Sequence, residues 1–112
     1  MGQFKNLYVW QDAVNLAASV YKITGKPLFD KDYGLSNQIQ RAAISIASNI
    51  AEGEERGSVK ETIHFYHITK GSAAEVITQL NIAYKIGYID EETFTKAEDF
   101  TEKIRATIKK YY

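Results

Sequence analysis

Cysteine is absent from the chain, so no disulfide, thiolate ligand or thiolate nucleophile can be built from it, and its chemistry suits a reducing compartment. Proline occurs once, at Pro27, which leaves the rest of the chain free of the residue that most strongly breaks helices. No apolar run approaches the roughly 20 residues that a membrane span needs. The opening Met1-Gly2-Gln3-Phe4-Lys5-Asn6 has no basic segment leading into an apolar one, so no leader is read and the cytoplasm is the expected location. Gly2 would suit myristoylation, but Asn6 stands where that signal requires Ser or Thr. An excess of charge of either sign is missing too: 14 basic residues balance 14 acidic ones. The chain as a whole is therefore not drawn to nucleic acid or to an anionic membrane, and polyanion binding would have to come from a local patch.

What is present is the balance of an ordinary globule, 45% hydrophobic and 25% charged over 112 residues, enough for one domain with one core spanning 1–112. Apolar and polar residues nowhere alternate over a long run, whereas spacings of three and four recur throughout, so the chain reads as all-α. The first helix is expected at about Leu7 to Thr24, with Trp10, Ala13, Val14, Ala17, Val20, Tyr21 and Thr24 on its core face. Gly25 stops it and Pro27 prevents a restart. The second helix runs from a cap at Asp32 to Gly53, read as its C-cap, with a core stripe of Leu35, Ile39, Ala42, Ile46 and Ile50. Ser58-Val59-Lys60-Glu61 is a capping box that opens the third helix, which ends at Gly87 after Lys85. Asp90-Glu91-Glu92 puts negative charge at the start of the fourth helix, about Glu91 to Lys110, and Arg105, Lys109 and Lys110 suit its other end. Helices of roughly 20 residues are about 30 Å long, and such short links fold each one back on the last. An antiparallel, up-down-up-down four-helix bundle is the result.

Two of these helices carry more apolar surface than one bundle uses. The fourth has a single narrow face of Phe94, Ala97, Phe100, Ile104, Ile108 and Tyr111. The second has a further stripe, Ala43, Ile44, Ala47 and Ala51, rotated away from its core stripe. On the third, Phe65, Ala73, Val76, Leu80, Ala83 and Tyr84 face the core while Ile68, Ile82 and Ile86 lie nearly opposite. Coherent second stripes of this kind mark interfaces, so the chain is expected to self-associate through the second faces of these two helices, the alternative being that the second helix is simply central in its own bundle. The small residues Ala43, Ala47, Ala51 and Gly71 would let a neighbouring helix come close.

Catalytic signatures are lacking. Glu61-Thr62-Ile63-His64 has the Glu-x-x-His spacing of bundle di-iron sites, but only His64 and His67 exist, so the second such step cannot be supplied. No metal and no cofactor is expected. Gly53-Glu54-Glu55-Arg56-Gly57 lacks the Lys-Ser or Lys-Thr that completes a phosphate loop, and Ser45 and Ser72 have no histidine placed by sequence to activate them. An enzyme is therefore not expected. The most distinctive polar feature is a stripe on the second helix, Arg41, Ser45, Asn49 and Glu52, continued by Arg56. It reads either as a solvated face with local ion pairs or as a contact surface in which Arg41 and Arg56 hold phosphate or a partner's carboxylate.

The chain resembles the four-helix-bundle 23S ribosomal RNA intervening-sequence proteins. The resemblance is carried by Leu7-Tyr8-Val9-Trp10-Gln11, by Tyr33-Gly34-Leu35, by the run from Arg41 to Gly53 that contains Ser48-Asn49-Ile50-Ala51-Glu52-Gly53, and by Gly71-Ser72-Ala73-Ala74-Glu75. It implies a ring-shaped homopentamer. It also implies kinship with an accessory protein of diversity-generating retroelements that binds a reverse transcriptase and nucleic acid. Two positions depart from the pattern: Ala47 where proline is common, which implies a straighter second helix, and Gln40 where a basic residue is common. The functional expectation is a non-enzymatic oligomeric binding module associated with RNA or a nucleoprotein, with a structural or protein-adaptor oligomer as the alternative. Arg41, Ser45, Asn49 and Arg56 are its candidate contacts, and no membrane partner is expected.

Overall fold

The computed structural model describes residues 3–110, so Gly2 and Tyr111, both considered above, lie outside the described residues. After a 3-10 turn at Phe4–Asn6 the chain forms α1 (Tyr8–Thr24), α2 (Pro27–Asp30), α3 (Tyr33–Glu55), α4 (Val59–Lys85) and α5 (Glu91–Lys109). Among the described residues there is no strand, and no helix is long and apolar enough to cross a membrane.

The helix starts follow from local hydrogen bonding. Asp32 Oδ1 accepts the Leu35 N–H at 3.1 Å, Ser58 Oγ accepts that of Glu61 at 3.2 Å, and Asp90 Oδ1 accepts that of Thr93 at 2.8 Å. Each occupies a donor that the first helical turn leaves without a partner. In the Ser58 cap the Glu61 carboxylate accepts from the serine hydroxyl at 3.3 Å, which braces the cap from the side-chain end. Gly87, at φ 85°, takes the left-handed conformation that ends α4.

Four long helices pack in a square: α3 lies against α1 and α4, and α5 closes the ring by touching α4 and α1. Neighbours run antiparallel. Along α3 and α4 the contacts Glu54 with Tyr66, Ser45 with Ser72, and Gln38 with Gln79 descend one helix as they climb the other. Tyr84 with Phe94 and Asn81 with Glu98 do the same for α4 and α5. The core between them holds Leu16, Phe29, Ile39, Ile46, Ile50, Leu80, Ile104 and Ile108, all fully enclosed. The α3 stripe read from sequence, including Ala42, lies in or against this core.

Four expectations are corrected. Pro27 does not prevent a restart: it sits at the first position of α2, where its missing N–H is no loss, and the short helix drives Phe29 into the core. Gly53 is not a cap but lies inside α3, where an added Cβ would come within 3.2 Å of Phe65 Cβ and 3.3 Å of Tyr66 Cε1. It permits α3 and α4 to approach near their connection. The core face of α1 is Val9, Ala13, Leu16, Val20 and Ile23, so Val14 and Tyr21 are exposed. Ala43, expected on a second face, is fully enclosed in the chain's own core.

Candidate binding cleft between α3 and α4

The polar stripe of α3 points its residues at different tasks. Asn49 donates from Nδ2 to both the carbonyl oxygen and Oγ of Ser45, each at 2.9 Å, and Ser72 of α4 donates its hydroxyl to Ser45 Oγ at 2.8 Å. Ser45 and Asn49 are therefore part of an interhelical network. Arg56 follows the end of α3, where its guanidinium lies 3.1 Å from Glu52, 3.9 Å from Glu61 and 4.9 Å from the centre of the Phe65 ring. Exposed ion pairs contribute under about 1 kcal/mol, yet two carboxylates together offset its charge for any third party. Arg41 is exposed and, among the described residues, in no ion pair.

Arg41 borders a cleft of about 380 Å³ whose other walls are Gln38, Ala42 and Ser45 from α3 and Glu75 and Gln79 from α4. Gln79 is only 8% exposed; its Nε2 donates to Gln38 Oε1 over a long 3.4 Å, and its Oε1 has no hydrogen-bond partner. The sequence reading named Arg41 and Ser45 but not Glu75 or Gln79 as contact residues. The signal that could have found them is the Gly71-Ser72-x-x-Glu75 step, since Ser72 bonds Ser45 and Glu75 stands one turn further along the same helix. Arg56, at the far end of α3, instead borders a separate pocket with Glu54 and Tyr66, whose hydroxyl donates to the Glu54 carboxylate.

Glu61, His64 and His67 do not converge on a metal geometry: among the described residues no three His, Asp or Glu side chains are grouped to hold an ion. Glu61 is engaged by Ser58 and Arg56, and the His64 ring lies edge-on to Phe65 at 5.1 Å.

Beside scattered exposed residues such as Tyr8, Leu28, Tyr33 and Val59, apolar surface gathers in two strips. Ile44 is 43% exposed on the α1 side of α3, with half-buried Ala47 and Ala51, and Val14 and Tyr21 of α1 are exposed as well. That this flank faces α1 is fixed by Gln40, one turn before Ile44, which donates to Thr24 Oγ1 at 2.9 Å. Ile68, Ile82 and Ile86 of α4 are 38%, 44% and 52% exposed. They share a flank with Ser72, Glu75 and Gln79, away from the Asn81 and Tyr84 side that meets α5. Between the strips runs the exposed polar ridge of α3, formed by Asn37, Arg41, Ser48 and Glu55.

Fold and cleft together define an all-α bundle protein with a polar cleft between its two longest helices. The chain belongs to the 23S rRNA-intervening sequence protein family, whose model matches residues 5–110. Among solved structures it is similar to a protein of unknown function from the S23 ribosomal protein family of Bacteroides thetaiotaomicron, at 24% identity and a TM-score of 0.83, covering 89% of this chain and 94% of that one. That likeness concerns the fold. No curated protein matches.

Proposed function

We propose that the protein is a non-catalytic, self-associating binding module for a partner protein. The observation that carries this reading is the pair of apolar strips on opposite flanks of the α3 ridge, Ile44 with Val14 and Tyr21 on one side and Ile68, Ile82 and Ile86 on the other. Two different patches on one subunit suit a head-to-tail contact, which closes into a ring when the rotation allows. The family resemblance supplies five as the number of subunits. A ring repeats any partner contact once per subunit and gains avidity from that repetition. The module works in the cytoplasm, where a chain without cysteine loses nothing.

Between the two classes of macromolecule, a protein partner is favoured. Glu75 shares the cleft with Arg41, and Arg56 is already balanced by Glu52 and Glu61, so along this stripe a phosphate backbone meets cations that are each accompanied by a carboxylate. RNA association is the second reading, favoured by the unpaired, exposed Arg41. Light scattering tests self-association, with a mass at a whole multiple of the 12.7 kDa chain as the expected result. Filter binding to structured RNA separates the partner classes: little retention at low salt is expected. Retention that falls steeply with salt, and whose slope flattens in Arg41→Ala, would give the function to RNA.

A further inference from the structure

We infer that the groove between α1 and α5 docks an acidic amphipathic helix of a partner protein. The inference rests on the reading that the module binds a partner protein, and it gives that partner a surface and a chemistry. Of the four seams in the square, the one between α1 and α5 is the thinnest. Residues on its two sides are small, Ser19 on α1 and Thr93 and Ala97 on α5, and they leave a groove of about 440 Å³. The floor is apolar, with Leu16, Ile23 and Ala97 buried and Phe100 half-buried. Beyond the Leu16 and Phe100 end, Lys103 of α5 reaches Asp12 of α1 at 3.6 Å and ties the two helices together.

Cations stand on both rims. Lys22 near the end of α1 and Lys26 just past it border one side, Lys96 of α5 borders the other, and all three are exposed. No carboxylate lines the groove, and α1 carries none after Asp12. Among the described residues Lys22 and Lys26 are in no ion pair. Lys96 lies 3.5 Å from Glu92, but both side chains are more than three-quarters exposed, and such a pair holds weakly. Asp90 is near enough to feel Lys26, yet it is committed to capping α5 through Thr93. The apolar floor runs along α1 from Leu16 to Ile23, about 10 Å or two helical turns, which is the reach of anchors at i, i+3 or i+4, and i+7 on a docked helix. A fatty acid has one charge for cations on two rims, and a phosphate backbone has no use for the floor. A helix with an apolar stripe flanked on both sides by Asp or Glu matches the floor and both rims together. Self-association through the two strips leaves this face open. Lys22 lies on the flank of α1 away from Thr24, which meets Gln40 of α3, and α5 stands diagonally across the square from α3.

Fluorescence anisotropy on the full chain tests the inference with labelled peptides of about four helical turns. One has a leucine stripe flanked by glutamate, one has the same stripe flanked by lysine, and one keeps the glutamates but has serine in place of leucine. The glutamate-flanked leucine peptide is expected to bind saturably, with affinity that falls as salt rises. Lys22→Glu combined with Lys26→Glu, both at exposed positions, should weaken it at least about tenfold and take up the lysine-flanked peptide instead. Lys22→Gln with Lys26→Gln should weaken the acidic peptide without gaining the basic one. Ser19→Phe, which covers the floor and leaves the lysines in place, should also lose the acidic peptide, with circular dichroism showing the helices of each variant intact. Equal binding of the three peptides, no saturable binding at submillimolar concentration, or binding indifferent to these substitutions would overturn the inference. Binding of anionic phospholipid vesicles or of structured RNA through the same lysines, without the peptide, would overturn it too. Mass measured on the same samples keeps the two readings apart. A monomer that binds the acidic peptide removes self-association and leaves the groove standing, and an oligomer that ignores the peptide does the reverse.

Discussion

Ser72 in the middle of α4 donates its hydroxyl to Ser45 Oγ in the middle of α3 at 2.8 Å, and Asn49 donates to the same oxygen from one turn further along α3. This bond sets the register of the two longest helices and lies beside the cleft that holds Arg41 and Glu75. It also joins two sequence segments that stand 27 residues apart.

Removing either hydroxyl should therefore loosen α3 from α4. Ser45→Ala and Ser72→Ala are each expected to lower unfolding free energy by about 1 kcal/mol in urea titrations. In the double variant the losses should fall short of additive by at least about 0.5 kcal/mol, because one bond is lost only once. Full additivity would show that the serines act separately.

The α3 cap and the α4–α5 turn share one carboxylate. Asp32 accepts the Leu35 N–H through Oδ1 and the Tyr88 hydroxyl through Oδ2 at 2.9 Å. That hydrogen bond, then burial and then the negative charge of Asp32 hold the Tyr88 hydroxyl above the ordinary tyrosine value. A raised acid stabilises the fold in its protonated form. The contribution is complete below about pH 10 and disappears as pH rises through the raised value. A fall in the thermal midpoint above pH 10 that Tyr88→Phe flattens is the expected result. Asp90 is the opposite case: hydrogen bonding from Thr93 holds it below the usual carboxylate range, so its contribution is present above about pH 4 and is lost as pH falls through the lowered value. Asp90→Asn should lessen the acid dependence and leave the alkaline limb unchanged.

Much of this architecture was legible in one dimension. The Asp32 and Ser58 caps, the turn at Gly87 and the α3 core stripe follow from rules that act within a few residues. What was not legible depended on neighbours. In α1 two stripes of helical spacing interleave, one through Val9, Leu16 and Ile23 and one through Trp10, Val14 and Tyr21, and only the packing of α3 and α5 decides which is enclosed. Gly53 looked like a stop signal because the side chains that press on it, Phe65 and Tyr66, come from another helix. Ala43 borders both faces of α3 on a helical wheel, and the square packing encloses it. The site was half legible for the same reason. Arg41 and Ser45 stand on a visible stripe, but Glu75 and Gln79 join them only once α4 folds back.

Gly71 offers a check on whether α4 has a neighbour outside the chain. It lies inside a 27-residue helix, and an added Cβ there would meet no atom within 4 Å. Alanine at such a position should stabilise an isolated subunit by up to about 1 kcal/mol through helix propensity alone. Urea unfolding of Gly71→Ala, made in an Ile82→Glu background that keeps subunits apart, is expected to show that gain. In the otherwise unchanged chain the same substitution should weaken association, because the methyl group holds the neighbouring helix away.

Head-to-tail association through the two strips is tested most directly by light scattering on Ile44→Glu, Ile82→Glu and their equimolar mixture. Ile44 is a better probe than Ala47, which is half-buried against the chain's own core. Each glutamate loses its water if the strip is covered, so each variant alone should be a 12.7 kDa monomer. In the mixture every Ile44→Glu subunit keeps an intact α4 strip and every Ile82→Glu subunit an intact α1–α3 strip. The mixture should therefore form a one-to-one dimer and nothing larger. A wild-type chain that is itself monomeric, or variants that keep the wild-type mass, would contradict self-association through these faces.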